Sequence, residues 1–327
     1  MMSGSSGRDN DAAARTCLIF IIIGAIIGLI VCSIVLLTLA PFDILPKPTP
    51  RPEDQRGTVV STDTLLFAVM EVGQGECVVV ITPEGRSMVI DGGRSRQRME
   101  ERVVPFLREH GVERVDYVVT TNPDQDHVAG LERLLELMPV GTWVDPAVPN
   151  DNQAYFRSLQ LVDEKGITPL LARRGVMLDL GPSVSVEILW PVDPLMGGSE
   201  PSRNNNSVVL KITHGEVAFI VPGDIEAPAE RRLVELDEED ELQADVLVLA
   251  HHGSKTSSTA EFLDAVSPHV ALIPVGLGNQ YGHPHDEVLQ RLRFRDIAIY
   301  RTDLDGTIEI ISDGATYEIR PLGAQGT

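Results

Sequence analysis

The sequence predicts an α/β fold: two β-sheets packed face to face, helices on their outer surfaces, all behind one N-terminal apolar span. Three observations predict it. Short apolar runs alternate with helix-period segments along residues 58–327, a pattern that places helices against sheets. The first runs are split by Gly73-Gln74-Gly75 and Pro83-Glu84-Gly85, hairpin-like breaks that argue against the rival doubly wound parallel sheet. A second strand-rich block opens near residue 206 and repeats the style of the first.

Residues 1–16 form a short tail. Residues 17–40, CLIFIIIGAIIGLIVCSIVLLTLA, carry no charge. At about 1.5 Å per residue, a helix of that length crosses a hydrocarbon core of about 30 Å with some tilt. The run exceeds the apolar region of a signal peptide and no clean A-x-A site follows, so it predicts an uncleaved transmembrane anchor. Val31 before Cys32 argues against a lipoprotein site. Arg8 and Arg15 precede the span while Lys47, Arg51 and Arg56 follow it, so the basic-residue count decides little. The short N-terminus favours a single-pass protein with an extracytoplasmic domain, held to the lipid bilayer through residues 17–40. Gly24 and Gly28 make a G-x-x-x-G pair that would pack two spans into a homodimer, or arise by chance in so Ile-rich a segment. Five prolines in residues 41–57 predict an extended stalk, and 58–327 reads as one domain.

Within that domain strands are expected at 65–72, 76–82 and 87–91, then a helix over 97–110 with Val103, Val104 and Leu107 on one face. A buried strand at 116–121 precedes a helix at 128–138. A strand at 142–145, a helix at 152–164 and strands near 184–190 follow. The second block gives strands at 206–213 and 216–223, a helix at 226–237, a strand at 245–250, a helix at 259–266 and a strand at 270–275. A helix at 285–293 leads to closing strands AIYR, TIEII and ATYEIR. Aromatics are only 5% of the chain, so the core rests on Val, Ile, Leu and Ala. The formal net charge is -21, with 48 acids against 27 bases, which counts against broad adhesion to nucleic acid or anionic lipid. RSRQR (94–98) with Arg102 and RLRFR (291–295) are local exceptions, or ordinary solvated helix faces. Three cysteines give no disulfide framework and read as small buried hydrophobes.

The chemistry concentrates at strand ends. Asn122-Pro-Asp124-Gln-Asp126-His127 follows an apolar strand, where loops set functional groups on a rigid scaffold. Carboxylates two apart with an adjacent imidazole suit a divalent ion; an Asp124 or Asp126 helix cap explains the same residues. Two observations tilt the balance towards a metal. Of eight histidines, five fall in three compact places: His127, His251 with His252, and His283 with His285. Asp224 likewise ends an apolar run, in PGDIE.

In order along the chain, VGQGE (72–76), IDGG (90–93), N-x-D-x-D-H-x-x-G (122–130), NNSVVL (205–210), GDIE (223–226), HHGSKTS (251–257) and NQYGHP (279–284) resemble the metallo-β-lactamase fold. The match within it is to the hydrolase domain of ComEC-type DNA-uptake proteins and related phosphoesterases. The resemblance implies a four-layer αβ/βα sandwich with the site at the strand ends between two sheets. It implies metal ligands at Asp124, Asp126, His127, Asp224 and His252, with Asp224 bridging two ions. One of His251 and His252 ligates and the other faces the phosphate; His252 is assigned as the ligand. Asp91 takes the place of the family's structural aspartate, with Gly92 and Gly93 permitting close approach. Gln74, Asn206, Ser207 and Asn279 fall where family members shape or line the pocket. Asn122 stands where the family has histidine, and a neutral amide is a poorer ligand for zinc. One site for zinc or manganese is then expected to be well formed and the second weakened.

The expected function is a membrane-anchored metal-dependent hydrolase, a phosphodiesterase or nuclease in which metal-activated water attacks DNA or a small phosphodiester. Asp124 or Asp224 would accept the water's proton, and His251 or His283 would stabilise the leaving oxygen. The alternative is a catalytically degenerate binding module, for which Asn122 speaks. Lactam hydrolysis fits less well, because the fold's lactamase members use a histidine-richer motif.

Overall fold

Leu65–Val69 is buried at every position, as a strand of two-sided apolar character must be to find cover on both faces. A computed structural model describes residues 63–197, 202–237 and 240–323. The tail 1–16, the anchor 17–40 with Gly24 and Gly28, and the stalk 41–57 lie outside the described residues. Among those described, no helix is long and apolar enough to cross a membrane.

Leu65–Val69 is β1. It joins β2 (Val78–Ile81), β3 (Ser87–Ile90), β4 (Val115–Val119), β5 (Val140–Asp145) and β6 (Thr168–Leu171), with β14 (Ile308–Ser312) and β15 (Tyr317–Pro321) beyond it. The sheet order is β15-β14-β1-β2-β3-β4-β5-β6. The Gly-Gln-Gly and Pro-Glu-Gly breaks deliver antiparallel pairing of β1, β2 and β3. From β3 to β6 the pairing turns parallel. The second sheet contains β7 (Met177–Asp179), β8 (Val184–Trp190), β9 (Val209–His214), β10 (Val217–Val221), β11 (Val246–Val248), β12 (Val270–Ile273) and β13 (Ala298–Arg301). Its order is β13-β12-β11-β10-β9-β8-β7, parallel from β10 to β13. Two mixed sheets, not one doubly wound sheet, form the framework.

Their inner faces share one aliphatic core, in which Phe67 and Phe219 stack with ring centroids 4.5 Å apart. The outer face of the first sheet is covered by helices Val104–Glu109, Gln125–Leu137 and Gln153–Glu164. Helices Ala227–Leu236, Ala260–Val266 and Asp286–Phe294 cover the second. Helix, sheet, sheet and helix therefore make four layers. The parallel halves bring the ends of β3, β4, β10, β11 and β12 to one edge, where the loops of an α/β sheet gather ligands.

Three local expectations change. β6 and β7 were not anticipated: each lies at a sheet margin, and exposed positions such as Thr168, Pro169 and Met177 erase the alternation. The helix expected at 97–110 contains a π-helical segment, Met99–Val103, just before Pro105, which has no N–H to give the preceding turn. Residues 204–206 form a 3₁₀ turn, so β9 starts at Val209 rather than near 206.

Candidate metal centre

The IDGG and N-x-D-x-D-H-x-x-G segments form one backbone unit. Gly92 N–H donates to His127 O at 2.6 Å, and Gly130 N–H donates to Gly93 O at 3.0 Å. A Cβ at Gly92 or Gly130 would collide with the other segment's backbone, so both positions need glycine for close approach. Asp91, at the end of β3, accepts from Thr121 N–H at 2.7 Å and from the Thr121 hydroxyl at 2.6 Å. Its Oδ2 also accepts from His127 Nδ1 at 2.7 Å. That bond fixes the imidazole and leaves Nε2 as its free donor atom.

The opposite half supplies its groups through a strained turn. His251 and His252 have φ of 52° and 56°, a left-handed conformation that non-glycine residues adopt at a cost of about 1–3 kcal/mol each. The turn is tied to the end of β10 by His251 N–H donating to Gly223 O at 3.0 Å. His252 Nδ1 donates to Pro274 O at 2.9 Å, so its Nε2 is free as well.

These constraints make a cluster. One ligand atom each of Asp126, His127 and His252 lies within 4.8 Å of the others. Asp224, buried, stands among the imidazoles, its Oδ2 3.1 Å from His127 Nε2 and 3.8 Å from His251 Nε2. Its Oδ1 is 3.8 Å from His252 Nε2, and Asp126 Oδ2 is 3.5 Å from the same nitrogen. His127 Nε2, His252 Nε2 and Asp224 Oδ1 are buried without a hydrogen bond. Buried polar atoms without partners are uncommon. Two imidazoles and two carboxylates with free inward atoms are the donor set for zinc or manganese, so the residues fit a divalent ion.

The electrostatics agree. Burial works against protonated His127, yet Asp224 and Asp91 hold its proton well above the usual imidazole range. His252 is raised too, burial opposing and Asp224 and Asp126 prevailing. Burial alone would raise Asp126, but His252 and His127 bring it down to about 2. Without a metal the carboxylates are thus balanced by imidazolium protons, which a cation would displace.

Other expected residues lie differently. Asn122 is fully buried, and its amide is spent: Oδ1 accepts from Asp124 N–H at 2.8 Å and Nδ2 donates to Ser207 Oγ at 3.2 Å. Asp124 points its carboxylate at Arg203, Oδ1 to Nε 3.1 Å, and stands outside the three-residue group. It occupies the N-cap position of Gln125–Leu137 without a side-chain capping bond. Both amide atoms of Asn122 are thus hydrogen-bonded, and one carboxylate oxygen of Asp124 is paired with Arg203. Asn206 supplies no donor to the site: its amide bonds Met196 N, Met196 O and Ser202 O. Ser207 acts from behind, its Oγ accepting from Asn122 and, at 3.3 Å, from Asp224 N–H. Asn279 folds its own loop through Tyr281 N–H and His283 N–H and O. Gln74 Oε1 accepts from Gly276 N–H at 3.3 Å, joining the two halves.

His251 reaches Glu226 on its other side, Nδ1 to Oε1 3.6 Å. His283 packs beside it, ring centroids 5.6 Å apart. Burial, then the charges of His252 and His251, lower His283 to about 4, so it is neutral at neutral pH. Two participants escaped sequence reasoning. Arg203 gave no signal there. Glu76 is fully buried with neither carboxyl oxygen hydrogen-bonded, and burial, then Asp91, raises it to about 8. Its traces in the sequence are its place at the end of VGQGE (72–76) and at the head of the apolar run ECVVVIT, neither of which assigned it a role.

Comparison with known proteins follows the same lines. The profile of the Metallo-beta-lactamase superfamily matches residues 70–276. ComE operon protein 3 of Bacillus subtilis is 32% identical over 260 residues, covering 74% of this chain and 32% of that protein. Competence protein ComA of Neisseria gonorrhoeae is 30% identical over 254 residues, covering 78% of this chain and 33% of that protein. The chain thus spans about a third of the length of these relatives. Among solved structures, a mutant of CmlA beta-hydroxylase is 17% identical, with a TM-score of 0.50 over 80% of this chain and 54% of that one. It shares the fold.

Proposed function

The chain belongs to the metallo-β-lactamase superfamily, and on that premise we propose that it is a metal-dependent hydrolase of phosphodiesters built around one ion. One observation carries the reading: Asp126, His127 and His252 converge within 4.8 Å, while Asp91 and Pro274 O hold the outer nitrogens of the two imidazoles. Asp126, His127, His252 and Asp224 would hold zinc or manganese. A divalent ion there supplies Lewis-acid polarisation of a phosphoryl oxygen and brings a water's pKa towards neutrality.

The chain's own groups divide the remaining work. Asp124, which burial raises and Arg203 lowers with a net rise, takes the proton of the attacking water. Arg203, beside it, offers positive charge to a phosphate oxygen. As the water oxygen bonds to phosphorus, the bond to the leaving oxygen breaks. His251 delivers a proton to that oxygen, and neutral His283 offers it a hydrogen bond only. The ComEC-type motifs and the competence protein among the relatives make DNA the first substrate to try, with a small phosphodiester next. An anchor at 17–40 would set this chemistry at a membrane, on the extracytoplasmic side.

The test is elemental analysis of the purified chain after loading with zinc or manganese, followed by assays on bis(p-nitrophenyl) phosphate and single-stranded DNA. One equivalent bound, with metal-dependent cleavage lost in Asp126→Ala, is the expected result. Tight metal without cleavage of either substrate would replace the enzyme with a degenerate binding module, the reading that Asn122 favours.

A further inference from the structure

A ladder of rings leads from the buried cluster to solvent. His251 lies 3.8 Å from Asp224, His283 packs on His251 with centroids 5.6 Å apart, and Tyr281 stacks on His283 at 5.7 Å and 28°. Tyr281 ends the ladder and is 45% exposed. Its hydroxyl accepts from Arg94 Nη1 at 3.3 Å, bridging the loop after β3 and the loop after β12. Lys255, exposed, lies in the neighbouring loop, its backbone N–H donating to His285 Nδ1 at 3.2 Å, with the His285 ring centroid 4.9 Å from that of His283. Among the described residues, neither Arg94 nor Lys255 has an acid within ion-pair distance. A cleft of about 740 Å³, lined by Arg94, Gln74 and Asn279 and by the acids Glu71, Glu132 and Asp303, opens on the Arg94 side. In a chain of net charge -21, Arg94 against an exposed aromatic ring, with Lys255 in the neighbouring loop, gives this rim two basic groups without an ion-pair partner among the described residues.

We infer that this mouth grips a single-stranded nucleic acid, with Tyr281 as its specificity-determining residue. The inference rests on reading the cluster as a phosphodiester site and names the substrate feature selected there. With a phosphate at the cluster, the adjoining base stacks on Tyr281 and extends the ladder by one ring. Neighbouring phosphates lie against Arg94 and Lys255. Stacking on an exposed ring requires a base free of its own neighbours, which single strands offer and duplexes do not. Every base has such a face, so the grip is indifferent to sequence. The overall negative charge then excludes polyanions everywhere except at this mouth.

The experiment measures binding separately from chemistry. Fluorescence anisotropy of the metal-free full chain compares a short oligothymidylate with the same phosphate chain carrying abasic residues. The wild type binds the thymidylate at least about fivefold more tightly, the low end for one stacked base. Tyr281→Ala brings the ratio to about one, and Tyr281→Phe, which keeps the ring but not the hydroxyl, retains it. Arg94→Ala and Lys255→Ala weaken both strands together and flatten the salt dependence by about 0.7 log units per decade each. A wild-type ratio of one, or a ratio that survives Tyr281→Ala, overturns the inference. Metal-loaded cleavage then separates the two readings. A strand that is discriminated but never cut counts against the hydrolase alone, whereas one cut without base discrimination counts against the grip alone.

Discussion

The two flanks of the candidate metal centre contain similar residues in opposite conditions. On one, Asp91 and Pro274 O hold the outer nitrogens of His127 and His252, whose inner nitrogens face Asp126 and Asp224. On the other, both side-chain amide atoms of Asn122 are bonded, to Asp124 and Ser207, and Asp124 Oδ1 is paired with Arg203. Residue type alone would rank Asp124 with Asp126. What separates them is whether a neighbour claims the lone pair first.

The comparison breaks most visibly if a front-line donor is removed. His252→Ala is expected to abolish metal uptake, measured by elemental analysis, because no neighbour can replace a nitrogen fixed by Pro274. Next in size is the support itself: Asp91→Asn should weaken metal affinity about 10- to 100-fold, read by competition with a chromophoric chelator. Asn122→Ala tests the spent flank. It should leave metal stoichiometry as it was while costing about 1–3 kcal/mol of stability in urea unfolding, since it unpairs the Asp124 N–H and a Ser207 bond.

A smaller effect sharpens the protonation difference. His127 in the metal-free chain keeps its proton above the usual imidazole range, burial opposing and Asp224 and Asp91 prevailing. A raised folded value contributes stability that is complete below about pH 6.5 and lost as pH rises through the raised value. The urea midpoint of the metal-free chain should therefore fall as pH rises above about 6.5, and His127→Gln should flatten the slope. Smallest of all is Asn122→His alone, expected to add no second equivalent of metal while Arg203 retains Asp124. A second equivalent should appear only when Arg203→Ala is combined with it. Uptake by the single variant would show that Asn122 alone closes the flank.

Much of this architecture was readable beforehand. Hydrophobic runs such as VVVI and VLV fall on strands because both faces of each are covered, and hairpin breaks separated mixed sheets from a parallel one. β6 and β7 were missed because marginal strands expose residues that an interior strand would bury. The metal-side residues were visible as motifs, since Asp, His and Gly at strand ends carry their chemistry in their identity. Arg203 was not, and Glu76 closes VGQGE without a role assigned to it, because both depend on neighbours distant in sequence: Asp124 for one, the buried surroundings of Asp91 for the other. The anchor at 17–40 lies outside the described residues, and its reading stays with the sequence.

Asp126 and His127 open the helix that follows β4 of the first sheet, while Asp224 and His252 lie in turns after β10 and β11 of the second. A chain emerging from the ribosome therefore carries half a metal centre for a long stretch of synthesis, unable to hold an ion tightly. Capture must wait until His252 is clear of the exit tunnel and the sheets have met. Stalled chains ending before Asp224 are expected to take up no metal, which would make metal loading a late checkpoint in the protein's own production.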